Sequence, residues 1–474
     1  MFGNFRKKCL EGFFININDY FYYIEKFRKR NNVNNFKING INIWNIIRMA
    51  LFNISNQDHF KHYSKKTMNF ISWNNLKNLI YLFPKISDIL ALTPNVRVKF
   101  KDIYGNKFLN WLPENGYKTT FLEYPTKNKT IYGNKNEIII PMEKIILKIL
   151  IMEKFTSKNI KNELYKKLKE FEYNDFMLKN IDYLSSYISR YISSIYFFRN
   201  FFKRQKPKIL FSISHYSTIN KGAIKAANEI GIPTIDVQHG LINKKSPGYI
   251  DTSGIKEDTP QYLFVYGKYF KDIISENSNL FEKENIIISG NYYLTKYNTS
   301  NKKRKIKNEE ILLITTQPAV DENAYINIIR EALKIKLKVI LKIHPSESKE
   351  KYKTILNEFD ITIKEKENIY ELFNISKYHA TVFSTSAVES LVFGVPNIII
   401  PWKGYETQLD FLIDNKTTVL YNKPLEKIIK TLRNNTSITY EKGSYFFEPW
   451  NQDKINDFLK NLDIKIEKVE KWKY

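Results

Sequence analysis

Residues 338–402 read KVILKIHPSESKEKYKTILNEFDITIKEKENIYELFNISKYHATVFSTSAVESLVFGVPNIIIPW, and this stretch decides the fold class. It opens on a β-branched apolar run, Val339-Ile340-Leu341-Lys342-Ile343, ending at His344-Pro345. It closes on another, Pro396-Asn397-Ile398-Ile399-Ile400-Pro401. Both have the composition of buried strands. Between them 378–383 is a third strand, which delivers Ser384-Thr385-Ser386 directly to the helical pattern 387–393. Hydroxyl residues at a strand-to-helix junction cap the helix and leave backbone N–H groups facing whatever lies beyond the strand, a place suited to an anion. Strand-helix-strand succession gives a parallel sheet, which binds ligands at the carboxyl ends of its strands. His344 and Ser384 to Ser386 occupy such ends, and so does Gln317, after the run 311–316. Glu389, one turn beyond Ser386, is expected to accept from ribose hydroxyls.

The order His344-Pro345, a strand ending in Ser384-Thr385-Ser386, then Ala387, Glu389, Gly394 and Pro396 resembles the nucleotide-binding half of GT-B glycosyltransferases. The motifs are similar to those of bacterial capsule and surface-polysaccharide transferases, including the sialyl- and Kdo-transferase-like group. CDP-glycerol glycerophosphotransferases and UDP-GlcNAc 2-epimerases share the half-fold. The resemblance implies two Rossmann-like α/β domains facing across a cleft, with the donor phosphate at His344 and Pro345. It covers about residues 311–414, and the N-terminal half more loosely.

At 474 residues and 43% hydrophobic content the chain has material for two or three cores. Its longest apolar stretch, 137–155, is interrupted by Glu143, Lys144, Lys148, Glu153 and Lys154, short of a membrane span. No secretory pattern opens the chain, and the single cysteine, Cys9, excludes an internal disulfide or a multi-cysteine zinc site. A cytoplasmic location is expected, with attachment at the inner membrane face as a refinement. The net charge of +26 has two readings. One is a compositional bias toward Lys and Asn. The other is attraction to an anionic surface through runs such as 302–305 and 201–208. No nucleic-acid-binding motif is visible, so a nucleic-acid partner is not expected.

In chain order, helical patterns cover about 15–29 and 41–52, and His59 with His62 reads as a solvated pair. Residues 86–108 look strand-like with a turn at 102–106, Arg97 lies among them, and 117–124 is a second strand. A helical insertion follows at about 142–204. Its aromatic stripe, Tyr183, Tyr187, Tyr191 and Tyr196, is expected to pack in a core. Strands at 208–215 and 233–237 flank a helix, and the second runs into Gln238-His239-Gly240 ahead of Ser246-Pro247-Gly248-Tyr249. That pair of motifs resembles the QHG…PGY segment of polysaccharide-synthesis transferases. Strands at 261–267 and 286–291 precede a polar linker at 298–308. The division is therefore an N-terminal acceptor-side domain, 1–297, and a C-terminal nucleotide-sugar domain, 309–474, whose last helix the resemblance sends back to the first domain.

Glycosyl transfer must stabilise a departing phosphate and deprotonate an acceptor hydroxyl. The first task falls to His344, Ser384, Thr385, Ser386 and the helix they cap, and no DxD motif calls for a metal, so no cofactor is expected. For the second, the candidates are His239, then Asp236, then His215, all at or near strand ends. His379 reads as structural packing. The function expected is transfer of a sugar from a nucleotide sugar to a growing surface polysaccharide such as capsule, on a glycan or lipid-linked acceptor. CDP-alditol phosphotransfer of teichoic-acid type and a non-catalytic basic binding protein are the alternatives.

Overall fold

The computed structural model describes residues 17–55, 85–93, 105–123, 136–299, 310–318, 320–402, 404–433 and 435–464. The expectations placed on Cys9, His59, His62, Arg97 and the run 302–305 lie outside these residues.

After a hairpin of β1 (Lys37–Ile38) and β2 (Ile41–Asn42) come two larger sheets. The first contains β3 (Ile89–Thr93), β4 (Thr119–Glu123), β5 (Glu137–Pro141), β6 (Ile209–Ile213), β7 (Thr234–Val237), β8 (Tyr262–Val265) and β9 (Ile286–Ile288). Its strand order is β5-β4-β3-β6-β7-β8-β9. The second contains β10 (Ile311–Thr315), β11 (Lys338–Lys342), β12 (Thr362–Lys364), β13 (Tyr378–Thr381), β14 (Asn397–Ile399) and β15 (Thr418–Leu420), in the order β12-β11-β10-β13-β14-β15. Every pairing within both sheets is parallel. Strands such as ILALT and ILLIT are buried along their whole length, because helices cover both faces of a parallel sheet. The protein is thus built of two doubly wound α/β domains, the fold class expected. Each sheet reverses its order once, between β3 and β6 and between β10 and β13. The carboxyl ends at such a reversal form the crevice in which ligands of this architecture bind.

The C-terminal segment closes the molecule. The helix Thr436–Phe446 packs Phe446 and Phe447 into a core shared by Leu263 and Val265 of β8 and Leu313 of β10. The chain then crosses the ends of β8 and β9. A Cβ on Gly267 would stand 2.3 Å from the Phe446 carbonyl oxygen, and one on Gly290 (φ +75°) would stand 2.3 Å from that of Pro449. Glycine at both positions lets backbone lie on backbone. The final helix, Gln452–Asn461, reaches the first domain, where Tyr117 donates to Asn456 Oδ1 at 2.9 Å.

The insertion consists of the helices Met142–Leu168, Asp175–Lys179 and Ile181–Gln205. Leu184, Ile188, Ile192 and Ile195 recur at three- and four-residue spacing, and this stripe joins the N-terminal helices Ile17–Arg30 and Trp44–Ser55 in a separate core. Two expectations are corrected. Only Tyr191 of the aromatic stripe is buried, whereas Tyr183 and Tyr196 are exposed, because the inward stripe is carried by the aliphatic positions. In 86–108 the strand expectation holds for Ile89–Thr93, residues 94–104 lie outside the described residues, and from Gly105 the chain is instead the helix Gly105–Glu114, whose Phe108, Leu109, Trp111 and Leu112 form one buried face against the sheet.

Candidate active site

At the reversal of the first sheet, β6 runs into Ser214 and His215. Ser214 adopts a left-handed backbone, φ +62°, uncommon for a residue with a side chain. The turn is held by Asn220, whose Nδ2 donates to the carbonyls of Ile213 (2.9 Å) and Ser214 (3.2 Å). The neighbouring strand β7 carries Asp236, which is fully buried and accepts from four donors. These are Ser212 Oγ at 2.7 Å and the His215 amide at 3.1 Å on Oδ1, with His215 Nδ1 at 2.9 Å and the Tyr249 hydroxyl at 3.1 Å on Oδ2. His215 is equally buried, edge-on to Tyr216, Tyr249 and Phe281, and its Nε2 has no hydrogen-bond partner. Asp236 and His215 therefore form an internal pair below the rim. His239 is half-buried at the rim itself, where its Nε2 lies 3.1 Å from Ser214 Oγ and 3.2 Å from the Tyr216 hydroxyl. Burial pushes the Tyr216 phenol up to about 12, so it keeps its proton at neutral pH. Gln238 is spent inside: its Oε1 accepts from the Tyr266 amide and its Nε2 donates to the Gly240 carbonyl.

In the second sheet the ends of β10, β11 and β13 are joined in one hydrogen-bonded rim. Thr316 Oγ1 accepts from the His344 amide (3.0 Å) and donates to Glu347 (2.8 Å). Glu347 also pairs with Lys351 and accepts from Tyr352. The ammonium of Lys351 gathers the carbonyls of Pro318 (3.2 Å) and Val320 (2.7 Å), tying the loop after β10 to the loop after β11. Toward β13, the Gln317 carboxamide faces the backbone N–H groups of Phe383 and Ser384. His344, followed by the exposed Pro345, stands at the outer edge. Partial desolvation where it stands against the rim holds its pKa below the ordinary histidine range; Glu347 opposes this, and Lys342 and Lys351 reinforce it.

The serine-rich turn divides in two. Ser384 and Thr385 are half-buried at the rim, with Ser384 Oγ accepting from the Ser386 amide. Ser386 and Glu389 are drawn inward, because all residues of the short helix Ser386–Val392 are buried. Ser386 Oγ lies 3.1 Å from Thr315 Oγ1, and Glu389, 1% exposed, accepts from the Tyr370 hydroxyl at 2.9 Å. His379 lies deeper still, between Asn397 Oδ1 at 2.7 Å and Thr315 Oγ1 at 2.9 Å, and burial lowers its pKa to about 4.

Thus His344, Gln317, Ser384 and Thr385 share one rim, Ser386 and Glu389 lie beneath it, and in the first domain only His239 of the three acid–base candidates reaches the surface. The loops beyond the two sheets touch where Lys245 Nζ donates to the Glu406 carbonyl, at 3.1 Å. Ser214, Tyr216 and Tyr249 were not singled out as site residues. The Ser-Pro-Gly-Tyr motif was the one available signal: Gly248 has the Tyr216 ring where a Cβ would stand, 2.3 Å away, and Tyr249 reaches Asp236. Among the described residues no group of three or more His, Cys, Asp or Glu side chains is arranged to hold a metal, and no helix is long and apolar enough to cross a membrane.

No protein-family model matches the chain, and no curated protein matches it. Solved structures with a similar fold include UDP-GlcNAc 2-epimerase from Neisseria meningitidis bound to UDP-GlcNAc, 14% identical with a TM-score of 0.46 over 79% of this chain and all (100%) of that one. They also include MurG of Acinetobacter baumannii, 11% identical with a TM-score of 0.47 over 80% of this chain and 100% of the other. A third is the glycotransferase of kitacinnamycin, 9% identical with a TM-score of 0.49 over 80% and 100%.

Proposed function

We propose that this protein is a GT-B glycosyltransferase that moves a sugar from a nucleotide-sugar donor to a growing surface glycan. The observation that carries the reading is the continuous rim at the reversal of the second sheet, where Thr316, Gln317 and Lys351 brace His344, Ser384 and Thr385 around one strand-end crevice. In this reading His344 and the two hydroxyls hold the donor phosphate, and the turn set by Pro345 presents the imidazole. Ser386, Gln317 and Glu389 keep that rim in shape from below. Across from it, His239 takes the proton of the acceptor hydroxyl, while Asp236 and His215 brace the loop it stands on. The imidazole and hydroxyl donors supply the charge stabilisation, so an obligatory metal is not part of the proposal; activity is expected to survive EDTA.

The acceptor we favour is lipid-linked, at the inner face of a membrane. Two observations support an anionic surface as partner: the net charge of +26, and the outer side of Met142–Leu168, where Ile151 and Phe155 (80% exposed) stand beside the exposed Lys154 and Lys158 while Glu153 turns inward to Arg190.

Thermal-shift measurement against CMP, CDP, UDP, GDP and dTDP tests the reading. One nucleotide at 100 times its Kd should stabilise the fold by about 2.7 kcal/mol. The matching sugar nucleotide should then yield a sugar-extended product. A product carrying added phosphorus without sugar would identify alditol phosphotransfer instead, and no shift with any nucleotide would reject both.

A further inference from the structure

Arg48 lies in the N-terminal helix Trp44–Ser55, far from either sheet in sequence, and is 3% exposed. Its Nη1 donates to the Pro247 carbonyl at 2.6 Å and the Ile250 carbonyl at 3.2 Å, and its Nε lies 3.8 Å from Asp251 Oδ1, itself buried. One turn earlier, Asn45 Nδ2 donates to the Ile255 carbonyl (3.0 Å) and to Asp258 Oδ1 (2.7 Å), which also pairs with the buried Lys221 at 3.2 Å. One helix therefore grips the loop after β7 at two places. Between the two carbonyls held by Arg48 stand Gly248, pressed against the Tyr216 ring, and Tyr249, bonded to Asp236. Tyr216 in turn reaches His239, and Asp236 reaches His215.

We propose that Arg48 is a positioning residue: by clamping the Pro247 and Ile250 carbonyls it sets Tyr216 and Tyr249, and through them the orientation of His239 and of the Asp236–His215 pair. A planar guanidinium suits this role, since the two N–H bonds of Nη1 are fixed in the guanidinium plane and hold the two carbonyls in one register, whereas a freely rotating ammonium does not. A loop supported only by its own backbone would leave Tyr249 free to swing from Asp236. The inference rests on reading His239 as an active-site base, but its test does not need turnover.

The His215 Nδ1 proton, shared with Asp236, should give a far-downfield proton resonance in the full-length protein, assigned by its loss in His215→Gln. In Arg48→Met that proton should exchange with water about tenfold faster or more, and Arg48→Lys should fall between Met and the native residue. Glu153→Ala, which breaks the half-buried ion pair with Arg190 elsewhere in the helical insertion, serves as the destabilised control. An unchanged resonance in folded Arg48→Met overturns the proposal, and so does an equal change in Glu153→Ala. If Arg48→Met does not fold, Arg48→Lys alone decides by the same criterion. Failure to find sugar transfer would reject the function proposed above while leaving this result standing.

Discussion

The backbone N–H of Ser346 donates to Nδ1 of His344 at 3.2 Å, two residues away across Pro345. An amide can only donate, so Nδ1 is an acceptor, and the proton of the neutral imidazole is on Nε2. The lowered pKa keeps that neutral form dominant at pH 7. The His-Pro turn thus offers an Nε2–H donor at the outer edge of the rim without a full positive charge.

His344→Ala is expected to remove most of the thermal shift given by the bound nucleotide, with little loss of stability in its absence because the ring is at the surface. The comparison is of thermal shifts at matched nucleotide concentration. A shift of native size would remove His344 from the donor site.

His239→Ala should leave that shift intact and lower turnover by about 10²- to 10⁴-fold, the range of a general base. Asp236→Asn should behave differently, because an amide cannot accept on both sides from four donors; a stability loss of about 2–4 kcal/mol is expected by urea denaturation. Native turnover in His239→Ala would reject the base.

His379 predicts a pH dependence of stability. Its pKa is about 4 in the folded protein against an ordinary 6.5, so between these values the unfolded chain binds more protons than the native one. Stability should therefore fall as pH drops from about 6.5 toward 4, by up to about 3 kcal/mol from this residue. Urea midpoints measured across that range should be flatter in His379→Asn than in the native protein; parallel curves would contradict the assignment.

Gly290→Ala should cost at least about 2 kcal/mol and expose the segment after Glu448 to protease, because a Cβ there meets the Pro449 backbone. Gly254 has nearly the same φ but open space around it, so Gly254→Ala isolates the backbone strain from the collision. Equal losses in the two variants would show that the crossover yields.

The strand-end sites were legible because parallel strands announce themselves as apolar runs, and the residue after each run stands at the sheet edge whatever its partners. His344, Ser384, His215 and His239 were all located this way. What the pattern does not encode is depth. Ser386 and Glu389 belong to the same motif as Ser384, yet the short helix turns them into the core, where Thr315 and Tyr370 take their polar groups. The reading of 86–108 held for the strand Ile89–Thr93 but departs at its end, from Gly105, for a related reason: a buried helix face of Phe108, Leu109, Trp111 and Leu112 is as apolar as a strand over so few residues.

By itself the sequence determined two parallel sheets and the imidazoles and hydroxyls at their edges, since local apolar periodicity and turn chemistry suffice for both. Only the tertiary structure decided which of those groups are spent on one another. Asp236 meets His215 across 21 residues, and Arg48 meets Pro247 across 199. Contacts at such separations follow from how whole elements pack, and no local pattern carries them.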